Sequence, residues 1–510
     1  PLYTMVGGEP VAVPEKFAPR AKKIAHFDVD PCEIGKVKAV QWHNVGVLDR
    51  DLRQLVAWVG EEQFLAGVRS YFTKHAWQNT ELHDLLSELE ITSGRDLSQW
   101  TKEWLQTSGV NYLRPIVDVA DDGTYASVAI EQEPPRYPEG VDQTLRSHRI
   151  ALGLYDVTDA GLVRRERIEL DVVGALTPVP QLTGTRRPDL LLVNDDDLTF
   201  AKIRLDEHSW STATEHLGTL VDPLARALVW SAAWDMTRDA EASTGDFLTL
   251  VLAGIGGETD IGVAQGVLRQ LRSAIDQFAT PAHRPEYLTR LATTLESLAH
   301  AAAPASDHQL AFTRAFVAAA TTEPQLALVA DLLDGTVVWE GLAIDTDLRW
   351  FLLQRLVVKG LLADDAIEAE LARDDTATGR RQAAVARAAR PTPVAKALAW
   401  ADVIDRTDLP NAIMESTITG FMQPDQVDLL EPYRERYFAD LARVWDDRPN
   451  EMAQDITVGL FPMMLIDDET VAATDLFLAG DHNSAVRRLV SEGRDGVLRA
   501  MRARAADAAA

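Results

Sequence analysis

The chain has 510 residues, 78 acidic against 50 basic side chains, a net charge of −28 and one cysteine. That length exceeds what a single hydrophobic core serves, so roughly two to four domains are expected. The acidic balance argues against nucleic acid or an anionic membrane as partner, and the lone Cys32 excludes a disulfide scaffold or a cysteine-built metal site.

In chain order, the composition changes first. Residues 1–50 hold 5 Lys and 2 Arg against 6 acidic residues, a net of +1, whereas residues 51–510 hold 5 Lys and 38 Arg against 72, a net of −29. Half of the lysines and the only cysteine thus lie in the first tenth of the chain. Such a step marks a domain boundary, a basic arm, or two sequences of different origin joined near residue 50. The chain opens Pro1-Leu2-Tyr3 without an initiator Met, which reads as a fragment. With no apolar leader and no run of 18 apolar residues, neither secretion nor a membrane span is expected, and the location is expected to be cytoplasmic.

From Asp51 the spacing of Leu52, Leu55, Val56 and Val59 predicts a helix that Gly60 ends. Phe64, Leu65, Val68, Tyr71 and Phe72 continue as a second. Thr80 is expected to cap a third, carrying Leu82, Leu85, Leu86 and Leu89 and stopped by Gly94. Asp96 and Gln99 resemble a capping box before Leu97, Trp100, Trp104 and Leu105, with Gly109 as the stop. The large aromatic residues of this segment read as core.

The period then changes from 3.6 to 2. Strands are predicted over 113–119, 124–133, 145–157, 163–173, 189–194 and 199–205, with turns at Asp122-Gly123 and Asp159-Ala160-Gly161. Ile150, Leu152 and Leu154 alternate with residues facing solvent or a second sheet, and the set suggests a small β-sandwich. From about Ser211 the pattern is helical to the end. Roughly fifteen amphipathic segments, joined near Pro281, Pro304, Pro324, Pro391, Pro410, Pro424 and Pro449, imply stacked helical hairpins. The tail from Arg504 to Ala510 is expected to fray.

Chemistry is scarce. The eleven histidines include no pair four residues apart, so the chain cannot carry H-E-x-x-H, which needs that spacing to aim two rings at one metal. The pairs 75/83, 208/216 and 300/308 each span an expected turn or Pro and read as chance. No G-x-S-x-G, Walker loop or G-x-G-x-x-G after a strand occurs, and Leu252 to Gly257 reads as a turn. Asn194-Asp195-Asp196-Asp197 offers oxygen ligands to a cation such as calcium, but reads better as a polar turn.

Three blocks carry a resemblance: Gln54 to Phe64, with Leu55, Val56, Trp58 and Gly60; Tyr71 to Trp77; and Ser93 to Trp104. With Asn194 to Lys202, they resemble the zinc aminopeptidases of the aminopeptidase N family over residues 51–510. The order of a helical end of a catalytic lobe, a small sandwich and a large helical superhelix is that of the second half of such an enzyme. The resemblance implies a family that removes N-terminal amino acids from peptides with a zinc-activated water. It places the zinc ligands and the general-base Glu upstream of this region. A catalytic Tyr in Y-x-K-G, which stabilises the oxyanion, is expected at 45–48. Those positions read Val45-Gly46-Val47-Leu48, so the donor is missing.

Val13 to Pro31 and Glu33 to Lys36 instead resemble the middle domain of the acetolactate synthase large subunit, where such a segment contributes to FAD binding. About forty residues cannot build a three-layer domain. His26, Cys32 and His43 read as ordinary residues of that strand and helix rather than metal ligands. A degenerate acetolactate synthase is set aside because the thiamine-binding G-D-G is absent.

The expected architecture is therefore mostly α with a small β-sandwich. Residues 1–50 form an incomplete acetolactate-synthase-like segment, joined between about Val45 and Arg53 to the rest. Residues 51–110 form a helical remnant of the zinc-peptidase catalytic domain, 111–206 the β-sandwich, and 207–510 an α-helical (HEAT-like) superhelix. The expected function is that of a carboxy-terminal fragment of a zinc aminopeptidase, inactive alone and binding no zinc itself. Its partners would be the missing amino-terminal and catalytic domains and, weakly, peptide amino groups on an acidic face. The alternative is a non-catalytic helical module that recruits a protein. The fragment reading expects exposed apolar surface around 51–108, the module reading a large apolar patch on the superhelix.

Overall fold

The computed structural model describes residues 3–6, 9–12, 45–137 and 140–510, with side chains from Leu52 onward. The acetolactate-synthase-like pattern of residues 13–36, with His26, Cys32 and also His43, lies outside the described residues. Before it, β1 (Tyr3–Val6) pairs antiparallel with β2 (Glu9–Ala12). The chain divides into two compact units that part between Asp206 and Glu207, with the hairpin tip Asp156–Val163 counted in the second.

In the first unit, α1 (Val45–Val59), α2 (Glu61–Lys74), α3 (Leu82–Ser93) and α4 (Ser98–Leu105) follow one another. Gly60 separates α1 from α2 at φ 91°, a left-handed backbone that residues with a Cβ rarely adopt. The four helices close over Leu55, Val59, Leu86, Leu89, Trp100 and Trp104.

Two helix starts differ from expectation. Glu81, not Thr80, precedes α3: Asp84 accepts the Glu81 amide at 2.9 Å, while Thr80 bonds the Tyr71 hydroxyl at 2.6 Å. At α4, Asp96 accepts the Ser98 amide at 2.7 Å, but Gln99 donates forward to Glu103 instead of reaching back. A side chain engaged elsewhere, by Tyr71 for Thr80 and by Glu103 one turn along the same helix for Gln99, is lost to capping. The helix also ends at Leu105, short of Gly109. Nor are all the aromatic residues core, since Phe72 and Trp77 are exposed.

Two sheets follow. β3 (Tyr112–Val119), β4 (Tyr125–Glu133), β7 (Leu176–Pro178) and β9 (Lys202–Ile203) form one in the order β7-β4-β3-β9. β5 (His148–Thr158), β6 (Gly161–Val172) and β8 (Leu190–Val193) form the other in the order β6-β5-β8. β7 has no sequence signal because it is three residues long, and β9 is shorter than expected. Of the two alternatives left for β5, solvent is ruled out: Ala151, Gly153 and Tyr155 are as buried as Ile150, Leu152 and Leu154. A central strand covered on both faces has no solvent side.

In the second unit, the described residues from Glu207 form seventeen α-helices, beginning four residues before Ser211. Prolines mark their starts more than their ends: Pro324 and Pro393 lie in first turns, and Pro410 and Pro449 sit immediately before helices. Ring fixation suits a first turn, whose amides lack helical partners. Leu252 to Gly254 continue a helix, and Ile255–Gly257 form a 3-10 turn after it. Trp400, Phe421, Tyr433, Tyr437 and Leu441 anchor one large core, and Trp350, Leu353, Val357 and Ile367 a smaller one.

The expected frayed tail is instead held. The last helix runs from Ser484 to Ala509, and Asp507 is fully buried. Its carboxylate accepts from the amides of Thr280 and Gly245 and from the Tyr287 hydroxyl, at 2.7, 3.3 and 3.2 Å. Composition could not show this, because an Ala/Arg-rich helix end looks the same whether docked or free.

Candidate functional site

The four-helix segment departs from an ordinary protein surface in two ways. Leu52, Leu65, Phe72, Trp77, Leu82 and Ile91 are exposed, Ile91 to 72%. That is six large apolar side chains in 57 residues, against ten in the 304 residues from Glu207 to Ala510, about a threefold higher density. The second departure is polar. Both side-chain atoms of the fully buried Gln54, Nε1 of Trp58 and Trp100, and Nε2 of His75 have no hydrogen-bond partner. Half of the buried side-chain atoms without partners among the described residues thus fall in this segment. Each such atom costs about 1–3 kcal/mol, so their concentration in one place calls for a cause.

Around Arg146 the segment makes a dense set of hydrogen bonds. The Arg146 guanidinium, buried beside α4, donates to the Glu103 carbonyl, the Asn111 side chain and the Ser108 carbonyl at 2.9, 2.7 and 3.1 Å. Glu103 accepts the Ser147 amide at 2.7 Å, and Trp104 donates to the Ser147 carbonyl at 3.0 Å. Beneath Trp104, burial and then the Arg146 charge push the His148 imidazole down to about 3, leaving it neutral between Thr199 and Gln132. These contacts fix the helices to the sheets.

The positions where the resemblance expects the oxyanion tyrosine, Val45 to Leu48, lie in the first turn of α1. Among the described residues no three His, Cys, Asp or Glu side chains are grouped to hold a metal, so the donor set does not fit the zinc implied for the parent enzyme. The histidine pairs do not converge. His75 caps α2 while His83 bonds Ser87 in α3; His300 packs tilted against Trp339 while His308 meets the Glu258 carbonyl. His208 and His216 correct one expectation: both lie on a single helix, Glu207–His216, with no turn between them.

The acidic run is a polar turn whose carboxylates face arginines. Asn194, Asp196 and Asp197 adopt positive φ, and the Asn194 side chain closes the turn on the Thr199 amide and carbonyl at 3.0 and 2.9 Å. Asp195, almost fully buried, accepts from Arg164 at 2.7 Å and Tyr155 at 2.9 Å. From there an alternating ladder crosses β5 and β6: Arg164, Asp196, Arg167, Glu169, Arg149, Asp171 and Arg95, each within 3.0 Å of the next. Burial opposes the Asp196 charge, but Arg164 and Arg167 outweigh it and hold the carboxyl below its usual range. Arg53 takes Asp197 at 3.3 Å. Carboxylates engaged this way are not a calcium site. Sequence spacing could not show this, because the arginines that meet the acidic run lie 29–144 positions away.

Comparison with known proteins identifies the set. Residues 190–499 match the model of the ERAP1-like C-terminal domain. The chain is 56% identical over 465 residues to a Streptomyces lividans protein named aminopeptidase N, covering 90% of this chain and 54% of that protein. It is 37% identical over 75 residues to an aminopeptidase N of Lactococcus lactis, covering 14% of this chain and 8% of that one. The crystal structure of Legionella pneumophila aminopeptidase A in complex with aspartic acid shares the fold, with TM-score 0.57 and 14% identity over 88% of this chain and 56% of that chain. The chain thus spans about half the length of the Streptomyces relative and of the Legionella chain. By its family match, its extended identity and the architecture of helical segment, sandwich and helical domain, the chain belongs to the aminopeptidase N family and corresponds to the carboxy-terminal part of its members.

Proposed function

We propose that the chain is the carboxy-terminal half of a zinc-dependent aminopeptidase that releases N-terminal residues from short peptides, and that it is inactive by itself. The zinc ligands, the general base and the oxyanion tyrosine belong to the preceding half. This chain supplies the end of the catalytic lobe, the sandwich and the helical domain, whose excess of carboxylates attracts the amino groups of peptides. Residues 1–50 are an acetolactate-synthase-like stretch joined near Val45 to Arg53. In support, the match to the Streptomyces protein leaves about a tenth of the chain outside it, the share that residues 1–50 make up. Among the described residues no helix is long and apolar enough to cross a membrane, and a cytoplasmic location is part of the proposal.

The observation that carries the reading is the concentration of exposed apolar side chains in residues 52–108. It is the surface expected where the remainder of a catalytic lobe packs. A recruiting module would place its apolar patch on the helical domain, where the exposed apolar residues are sparse. The test is complementation. The 510-residue chain is mixed with the amino-terminal half of the Streptomyces relative, the part that this chain does not cover, and hydrolysis of a leucyl anilide is followed. Neither half should turn over alone, and the mixture should. Turnover with stoichiometric zinc by the 510-residue chain alone would overturn the proposal.

A further inference from the structure

A second charged cluster, in the helical domain, has the opposite sign from the chain as a whole. The Asp425 carboxylate, in the 3-10 turn Pro424–Gln426, is met by Arg355, Arg284 and Lys359 at 2.5, 3.1 and 3.3 Å. Arg284 also reaches Asp276 at 2.8 Å, which Arg272 approaches at 2.7 Å. Four cations share two carboxylates, a net of +2 within a chain of −28. Asp276 sits in a π-helical turn, Ala274–Phe278, a distortion found often at functional sites.

The cluster is neither buried and closed nor fully wet. The side chains of Arg272, Arg284 and Lys359 are each about one-fifth exposed, so solvent solutes reach them. Arg355 is used up, donating to the Ala320 carbonyl and to Asp425. Arg272 donates to Asp276 and to the Ala318 carbonyl, while Arg284 and Lys359 hold donors in reserve. The Arg284 Nε is buried with no partner, and the Lys359 ammonium spends only one contact, on Asp425. Burial, against the pull of Asp425 and with the help of Arg355 and Arg284, holds that ammonium below the usual lysine range. Uncompensated cations in a partly desolvated site are costly, and a bound anion would relieve that cost.

We propose that Arg272, Arg284 and Lys359 form a binding site for a doubly charged tetrahedral oxyanion of the inorganic phosphate type. Two negative charges match the excess of two. Guanidinium forks and an ammonium are the donors that bind acceptor-only oxygens best. This is independent of the peptidase reading, since it concerns only the helical domain.

The test is thermal unfolding of the full 510-residue chain at about pH 8, with phosphate exchanged for chloride at constant ionic strength. At tenfold excess over half-saturation the midpoint should rise by about 2–4 °C and saturate. Lys359→Met and Arg272→Met each leave Asp425 or Asp276 with another arginine, so both should fold, and each should weaken phosphate at least about tenfold. Arg380→Met, at an exposed ion pair with Asp375, should keep the full response. Three results would overturn the proposal: no saturable rise, an equal rise with acetate, or a rise that survives in Lys359→Met and Arg272→Met.

Discussion

Asp507, four residues from the end of the sequence, accepts the backbone amide of Thr280 at 2.7 Å, tying the last helix to a loop 227 residues earlier. The same carboxylate takes the Gly245 amide, Nδ1 of His283 and the Tyr287 hydroxyl. One short side chain therefore satisfies donors from two segments distant in sequence, at Gly245 and over Thr280 to Tyr287. Asp507→Ala strands two backbone amides in a buried site and should cost about 2–4 kcal/mol. Its thermal midpoint is expected to fall by on the order of 5 °C, and deletion of 504–510 should do at least as much. A truncated chain melting with the full one would show the anchor to be unimportant.

Lys396 is the second internal fastening. Its buried ammonium donates to the carbonyls of Ala388, Gly420 and Phe421, at 2.9, 3.3 and 2.8 Å, closing the ends of two helices. Burial pushes its pKa down to about 7. Above that value the folded lysine is neutral while the unfolded one stays protonated up to its usual range near 10.5. The unfolded state then binds more protons, so stability rises with pH from about 7 to about 10. Urea midpoints across that window should climb for the natural chain and climb less for Lys396→Met. Parallel curves would mean that Lys396 keeps its charge in the fold.

In the sandwich, Arg164 holds the buried Asp195. Arg164→Met leaves that carboxylate with only the Tyr155 hydroxyl and should cost about 2–4 kcal/mol, read from tryptophan fluorescence of the first unit. The ladder also sets an acid limit. The Asp196 pKa is depressed in the fold, so its contribution is present above the unfolded carboxyl value and lost as pH falls through the folded one. Unfolding of this unit should accelerate below about pH 4, and Arg164→Met should move that limit upward. An unchanged acid midpoint would remove the ladder from the account.

The exposed face of the helical segment separates stability from assembly. Ile91→Lys and Phe72→Ser touch no core, so each should alter the unfolding free energy by less than about 0.5 kcal/mol. Both should reduce self-association of the isolated chain and weaken complementation by the amino-terminal half. Complementation at natural strength by the double variant would move the docking surface elsewhere.

The local alphabet was legible in the sequence. Gly60 and Gly94 stopped helices where expected, and the change from period 3.6 to 2 fell where β3 begins. Caps were misread where the side chain had another partner, Tyr71 for Thr80 and Glu103 of the same helix for Gln99. Aromatic residues were misread where period alone assigned them inside, as at Phe72 and Trp77.

The sequence by itself determined the family, the order of helical segment, sandwich and helical domain, and the absence of H-E-x-x-H, because periodicity and short motifs are local properties of a chain. Only the tertiary structure decided that Asp507 is anchored, that Asp195 to Asp197 face arginines rather than a cation, and that unpartnered polar atoms gather in residues 52–108. Each of these depends on which distant groups share a low-dielectric space, and a carboxylate reads the same in sequence whether it meets water, a metal or an arginine.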